Sequence, residues 1–241
     1  MECLSRERLT PTIQGPQRTI PLSVLDNTVV NFALTAAVWY FDNPSNAGAF
    51  TIESFKQSLQ KTLEAYPQWA GQLRWLPYDL SKGQRHGRIA LTFGSPNDPG
   101  VEFIVARCPH TLSSLVPSSA ERVASGAWDA SAVPSSAWLC PISLAPRNAS
   151  GPCVTAQFTV FACGGVGLAL RIAHCIADAT AMVQFARDWA AVHRAALAKK
   201  PVPELSPVFD PARLDRAASG SIEVDRVDPA LLQVEIGRAH V

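Results

Sequence analysis

Residues 154–198 carry the pattern that most restricts how this chain can fold. Val154-Thr155-Ala156-Gln157-Phe158-Thr159-Val160-Phe161 alternates cleanly with period two and predicts a strand. Cys163-Gly164-Gly165 is a turn signal, and Val166 to Ala173 is a second apolar strand, so the two form a hairpin. From Ala179 to about Ala198 the period becomes helical. Met182, Phe185, Ala186, Trp189, Ala190 and His193 fall on one face, and Gln184, Arg187, Asp188 and Arg194 lie mostly on the other. A basic last turn before Lys199-Lys200-Pro201 suits the helix dipole. Any fold for this chain must accommodate a hairpin that runs directly into a long amphipathic helix.

The junction between that hairpin and helix reads His174-Cys175-Ile176-Ala177-Asp178. A loop held between two rigid elements is a common place for reactive groups. The near-neutral pKa of histidine suits it to take a proton from a hydroxyl or amine. His174 is therefore the candidate general base; the alternative is a buried histidine satisfied by backbone groups. Asp178 directly precedes the helix and is a natural N-cap, so its expected role is structural support of the loop that aims His174. An arginine, either Arg171 or one outside this chain, is an alternative partner for it. Cys175 could be read as a Cys-His nucleophile, but strand alternation turns its side chain opposite to His174, toward the interior.

Upstream, Thr51 is a plausible N-cap, and Ile52, Phe55, Leu59 and Leu63 recur at helical spacing, with Tyr66 closing the row before Pro67. Thr28 to Phe41 reads as one buried strand. Arg88 to Phe93 and Val101 to Ala106 read as strands joined by the turn residues Ser95 to Gly100, and a short helix is expected near Ser119 to Ser125. Residues 1–20 read as a polar lead-in with Pro11 and Pro16 as breakers.

The chain has 241 residues, 47% of them hydrophobic and 17% charged, which is globular and ample for a core. A net charge of +1 and the lack of a basic cluster interleaved with aromatics speak against nucleic acid and anionic membranes as partners. The start is interrupted at once by charge and is no signal peptide, and the run from Val29 to Phe41 is too short to span a bilayer. The expected location is cytoplasmic. Six cysteines at 3, 108, 140, 153, 163 and 175 include no CxxC pair, and no histidine has metal-ligand spacing, so no metal site is expected. Buried reduced thiols are the expectation for Cys163 and Cys175, and disulfides are not expected in that compartment. His86 and His110 show no readable partner, and His193 reads as packing. Trp69, Trp75, Phe185 and Trp189 read as core rather than as an acceptor pocket. Gly164-Gly165-Val166-Gly167 lacks the Lys-Ser/Thr of a phosphate cradle and enters a strand.

Three further stretches stand in order around the histidine. Pro21-Leu22-Ser23-Val24-Leu25-Asp26 resembles the Leu-Ser-x-Leu-Asp element of the BAHD acyltransferases. Tyr66-Pro67-Gln68-Trp69-Ala70-Gly71-Gln72-Leu73-Arg74 resembles their Tyr-Pro-x-x-Ala-Gly-Arg-Leu element. Pro207-Val208-Phe209-Asp210-Pro211 resembles the segment after their catalytic helix, and His174-x-x-x-Asp178 matches their His-x-x-x-Asp. The likeness is nearest the fungal, trichothecene 3-O-acetyltransferase-like branch.

The resemblance implies an α/β fold of the chloramphenicol-acetyltransferase type, a mixed sheet flanked by helices. It implies that acyl-coenzyme A and a small-molecule acceptor enter a channel between two such domains. Acyl-CoA would be a co-substrate, with no bound cofactor. His174 would be the base and Asp178 the support of its loop; no CoA-binding residue is named. The family's glycine after the Asp is Ala179 here, and its second signature, Asp-Phe-Gly-Trp-Gly, is absent.

The expected organisation is therefore an N-terminal acyltransferase domain at 21–200, a Pro-rich connecting segment at 201–234 leading to a missing C-terminal domain, and a non-native tail at 235–241. Glu235-Ile236-Gly237-Arg238-Ala239-His240-Val241 matches the in-frame translation of a common sequencing adapter, so the chain is expected to be a fragment. Two rival readings are a non-catalytic half-domain that binds a partner through its uncovered face, and a condensation-type domain of a peptide synthetase. Ala173 and Ala179, where those domains carry His and Gly, argue against the second.

Overall fold

The computed structural model describes residues 1–30, 34–42, 50–76, 88–125, 139–141 and 151–213. The proposed tail at 235–241, most of the connecting segment, and His86 lie outside them.

The hairpin forms as its residues dictate. Strands β7 (Val154–Phe161) and β8 (Val166–Ile172) pair antiparallel, with Val160 opposite Val166 and Val154 opposite Ile172. Gly164 closes the turn at φ 80, a left-handed conformation that favours glycine, and its N–H donates to the Phe161 carbonyl. β7 also pairs in parallel with β6 (Val101–Cys108), β8 pairs with β3 (Thr35–Phe41), and β6 pairs with β1 (Glu2–Leu9). The result is a mixed five-stranded sheet in the order β1-β6-β7-β8-β3. A separate antiparallel sheet joins β2 (Arg18–Pro21), β5 (Ile89–Phe93) and β4 (Gln72–Trp75) in the order β2-β5-β4.

Helices α2 (Ile52–Leu63) and α4 (Ala179–Leu197) pack on the apolar face of the large sheet, and the short helix α3 spans Ser119–Ser125. Phe55 of α2 lies against Phe158 of β7 with ring centroids 5.3 Å apart, and edge-on to Trp189 of α4 at 5.8 Å. Phe55, Leu59, Leu63, Phe103, Phe158, Leu170, Phe185 and Trp189 belong to one buried cluster. The opposite face carries Glu102, Thr155, Gln157, Thr159 and Arg171, yet these are buried too. Residues 139–141 lie over part of that face. The Cys140 N–H donates to Gln157 Oε1 at 2.9 Å, and Arg171 Nη1 donates to the Cys140 carbonyl at 2.7 Å.

Two expectations are corrected. Residues 1–20 are not a lead-in: β1 occupies the sheet edge and β2 begins at Arg18. β1 is polar because an edge strand can face water, and its charges find partners. Arg6 and Arg8 both reach Glu102 (3.1 and 3.4 Å), and Lys56 of α2 reaches Glu7 at 2.6 Å. Nor do residues 28–41 form one strand. α1 (Val24–Thr28) comes first and β3 starts only at Thr35. The β-branched run Thr28-Val29-Val30 favours a strand locally, but the cap at Ser23 starts a helix before it.

Candidate functional site

The four motifs have separate structural reasons. In the first, Ser23 and Asp26 form a reciprocal capping box for α1. The Asp26 N–H donates to Ser23 Oγ at 3.1 Å, and the Ser23 N–H donates to Asp26 Oδ2 at 3.0 Å. Asn27 then ties α1 to the small sheet, its Nδ2 donating to the Ser23 carbonyl at 2.7 Å and its Oδ1 accepting the Ile89 N–H at 2.7 Å.

The second motif docks the end of α2 on α4. Trp69 stacks on Phe185 at 4.0 Å, Tyr66 meets the same ring edge-on at 4.9 Å, and Tyr66 Oη–H donates to Asp188 Oδ2 at 2.5 Å. Burial first, then this carboxylate, raises the Tyr66 phenol above its ordinary value. Gly71 follows because a Cβ there would meet the Thr92 carbonyl oxygen at 2.5 Å and Phe93 Cβ at 2.7 Å. The Pro207–Pro211 stretch has no regular structure up to Asp210, and its Phe209 packs against the main core.

The fourth motif is the junction itself. The Ile176 N–H donates to the Ala173 carbonyl at 2.9 Å, making a tight turn that carries His174. That turn is anchored on both sides. The Ala173 N–H donates to the Cys153 carbonyl at 2.9 Å, and Thr35 Oγ1, buried on β3, donates to the Ala177 carbonyl at 2.8 Å. His174 is half-buried, whereas Cys175, Ile176 and Ala177 are buried. Asp178 is exposed and caps α4, its Oδ1 accepting the Ala181 N–H at 2.8 Å. Arg171 does not pair with it: the Arg171 Nη1 and Nη2 groups go instead to Cys140 and Gln157. Asp178→Ala is expected to cost about 1 kcal/mol of stability in urea unfolding, and Asp178→Asn only a few tenths.

Cys175 is a poor nucleophile. Burial, helped by the nearby Asp26 charge, pushes its thiol from the ordinary 9.0 up to about 11. Cys153 is likewise pushed up by burial, to about 12. Both thiols stay protonated in the folded chain while they ionise in the unfolded one. Stability is therefore expected to fall as the pH rises from about 9 to about 11, read as a falling urea midpoint between pH 8 and pH 10.5. Of the two thiols expected to be buried, Cys175 is, whereas Cys163 sits exposed on the hairpin turn.

His193 is a packing residue. It stacks on Phe55 at 4.3 Å, and its Nδ1 lies 3.1 Å from Ser58 Oγ. Trp69, Phe185 and Trp189 are core, while Trp75 is half exposed. A cavity of about 680 Å³ opens between α4 and the β3–β8 edge, walled by Trp39, Phe41, Leu168, Leu170 and Ala190 among others. His174 is not part of its wall, so it is distinct from the chemistry proposed for the turn. Among the described residues no acidic, His and Cys groups cluster as a metal site, and no helix is long and apolar enough to cross a membrane.

Neither the capping box at Ser23 nor the hydroxyl of Thr35 stood out as site support from spacing alone. Ser-x-x-Asp is a recognisable capping pattern, but Thr35 lies far from the loop in sequence.

Comparison with known proteins agrees with this architecture. The chain is 34% identical over 197 residues to the acyltransferase abl6 of Leptosphaeria maculans, covering 80% of this chain and 38% of that protein. The structure of vinorine synthase superposes with a TM-score of 0.60 at 24% identity, over 88% of this chain and 46% of that one. TRI101 of F. sporotrichioides, solved with coenzyme A and T-2, superposes with a TM-score of 0.51 at 17% identity, over 78% of this chain and 40% of that one. The chain thus spans less than half the length of each. The family model described as the Transferase family matches residues 1–228, and with the four motifs in their places the chain belongs to that family, the BAHD acyltransferases.

Proposed function

We propose that this chain is the base-bearing N-terminal half of a coenzyme A-dependent acyltransferase that acylates a hydroxyl or amine of a fungal secondary metabolite. The observation that carries the proposal is the placement of His174. It stands half-buried on a turn whose backbone is tied to β3 and to Cys153, while its companion Asp178 is occupied in capping α4.

In the proposed reaction, the imidazole takes the acceptor's proton as the oxygen or nitrogen attacks the thioester carbonyl. The tetrahedral intermediate collapses by breaking the C–S bond. The departing thiolate recovers the proton from the imidazolium, giving acylated product and free coenzyme A. No enzyme nucleophile is needed, which agrees with the suppressed Cys175 thiol. Hydrogen-bond donors for the oxyanion belong to the proposed second half. The proposed setting is cytoplasmic.

The test is the genomic locus beyond Gln233, followed by assay of its full product. The frame is expected to continue for about the same length again, through an Asp-Phe-Gly-Trp-Gly-like strand. The 1–241 protein alone is expected to turn over no acyl-CoA, because half the channel is missing. Robust transfer by 1–241, lost in His174→Ala, would overturn the half-enzyme reading while keeping the base. A stop at once after Gln233 would favour the second reading, a non-catalytic half-domain. The apolar cavity at the β3–β8 edge supports that alternative as a face for another chain.

A further inference from the structure

Cys3 and Cys140 are far apart in sequence and share one corner of the large sheet. Cys3 lies on the edge strand β1, opposite Ala106 of β6. Cys140 packs against that same Ala106 and against Ile104, with Met1 closing the cluster. Arg6, three residues beyond Cys3, donates Nη2 to the Pro141 carbonyl at 2.6 Å. These contacts hold residues 139–141 beside the start of β1, where Cys3 and Cys140 both neighbour Ala106. Cys3 is exposed, Cys140 is buried, and both are reduced.

An exposed thiol that meets oxidant first, touching a buried thiol that can resolve it, is the arrangement of a reversible redox pair. We propose that Cys3 and Cys140 form such a pair, closing an intramolecular disulfide that clasps the edge strand β1 to residues 139–141. With hydrogen peroxide as oxidant, the Cys3 thiolate attacks one peroxide oxygen and becomes a sulfenic acid as hydroxide leaves. The Cys140 sulfur then attacks the Cys3 sulfur, the S–O bond breaks, and the hydroxyl group leaves as water with the Cys140 proton. The two thiols lose two electrons in all and the peroxide gains them. Burial raises the Cys140 thiol above its ordinary value, Cys3 adds to the rise, and the positive charge of Arg6 and Arg171 only partly offsets it. Cys140 is therefore the resolving sulfur and Cys3 the attacking one.

The clasp has a route to the proposed site. The Cys140 carbonyl holds Arg171, which sits on β8 three residues before His174. Covalent closure fixes the position of that carbonyl and so the strand that leads into the histidine turn. A disulfide of this kind is transient rather than structural, and so is compatible with a reducing compartment.

The experiment uses the reduced 241-residue protein, oxidised with hydrogen peroxide, alkylated, and digested without reduction for mass spectrometry. The expected result is a Cys3–Cys140 linked peptide as the main disulfide, in monomeric protein, reversed by dithiothreitol. Closing a loop this long is expected to raise Tm by roughly 5 °C. Cys3→Ser, at an exposed position, should abolish the linkage and leave the Tm of the reduced protein within about 2 °C. Separate alkylation of Cys3 and Cys140 after oxidation would overturn the proposal. So would preferential linkage of Cys3 to Cys163, which is also exposed, or an equal yield of the Cys3–Cys140 link in urea, where no folded geometry selects the pair.

Discussion

In the proposed full-length acyltransferase, replacement of His174 by alanine is expected to lower kcat by about 10²- to 10⁴-fold, with KM for acyl-CoA changed little. His174 lies on a turn fixed by backbone hydrogen bonds at Ala173, Ile176 and Ala177, so removing the imidazole leaves the scaffold in place. A folded variant should therefore lose proton transfer and little else. Steady-state kinetics checks this, together with circular dichroism to show that the variant folds. A loss smaller than tenfold would remove His174 from the role of base. Asp178→Asn provides the contrast: it keeps a capping side chain, and its rate should stay far closer to that of the unchanged enzyme.

Phe185→Ala is expected to destabilise the chain by about 3–5 kcal/mol. Phe185 is fully buried, stacked on Trp69 and edge-on to Tyr66. It is the point where the Tyr66-Pro67-Gln68-Trp69 element grips α4, and the cavity left behind would be lined by rigid rings with little room to collapse. Urea unfolding followed by tryptophan fluorescence reads the loss. A cost below about 1 kcal/mol would mean that the element is not held through this ring.

The parts of the fold that were legible from residues were those governed by local chemistry. β7 and β8 followed from alternation and a glycine turn. α2 and α4 followed from apolar spacing, with Thr51 capping the first and Asp178 the second. Each of these signals acts within a few residues, so periodicity and capping reveal it directly. Where two local preferences competed, reading by composition failed. The β-branched run after Asn27 read as strand, yet the Ser23–Asp26 capping box had already committed Val24–Thr28 to a helix. The charged start of the chain read as solvent-exposed lead-in because nothing local shows that Glu102 is waiting for Arg6 and Arg8.

Period, turn and cap are short-range properties, so neighbouring residues alone specify the hairpin, the helix that follows it, and the histidine and capping aspartate between them. Which distant groups meet that loop is set by the way the whole chain packs. That packing brought the Thr35 hydroxyl of the edge strand to the Ala177 carbonyl. It also turned Arg171 away from Asp178 toward residues 139–141. Those pairings depend on strand order in the mixed sheet, and strand order is set by burial across the whole chain rather than by any one segment.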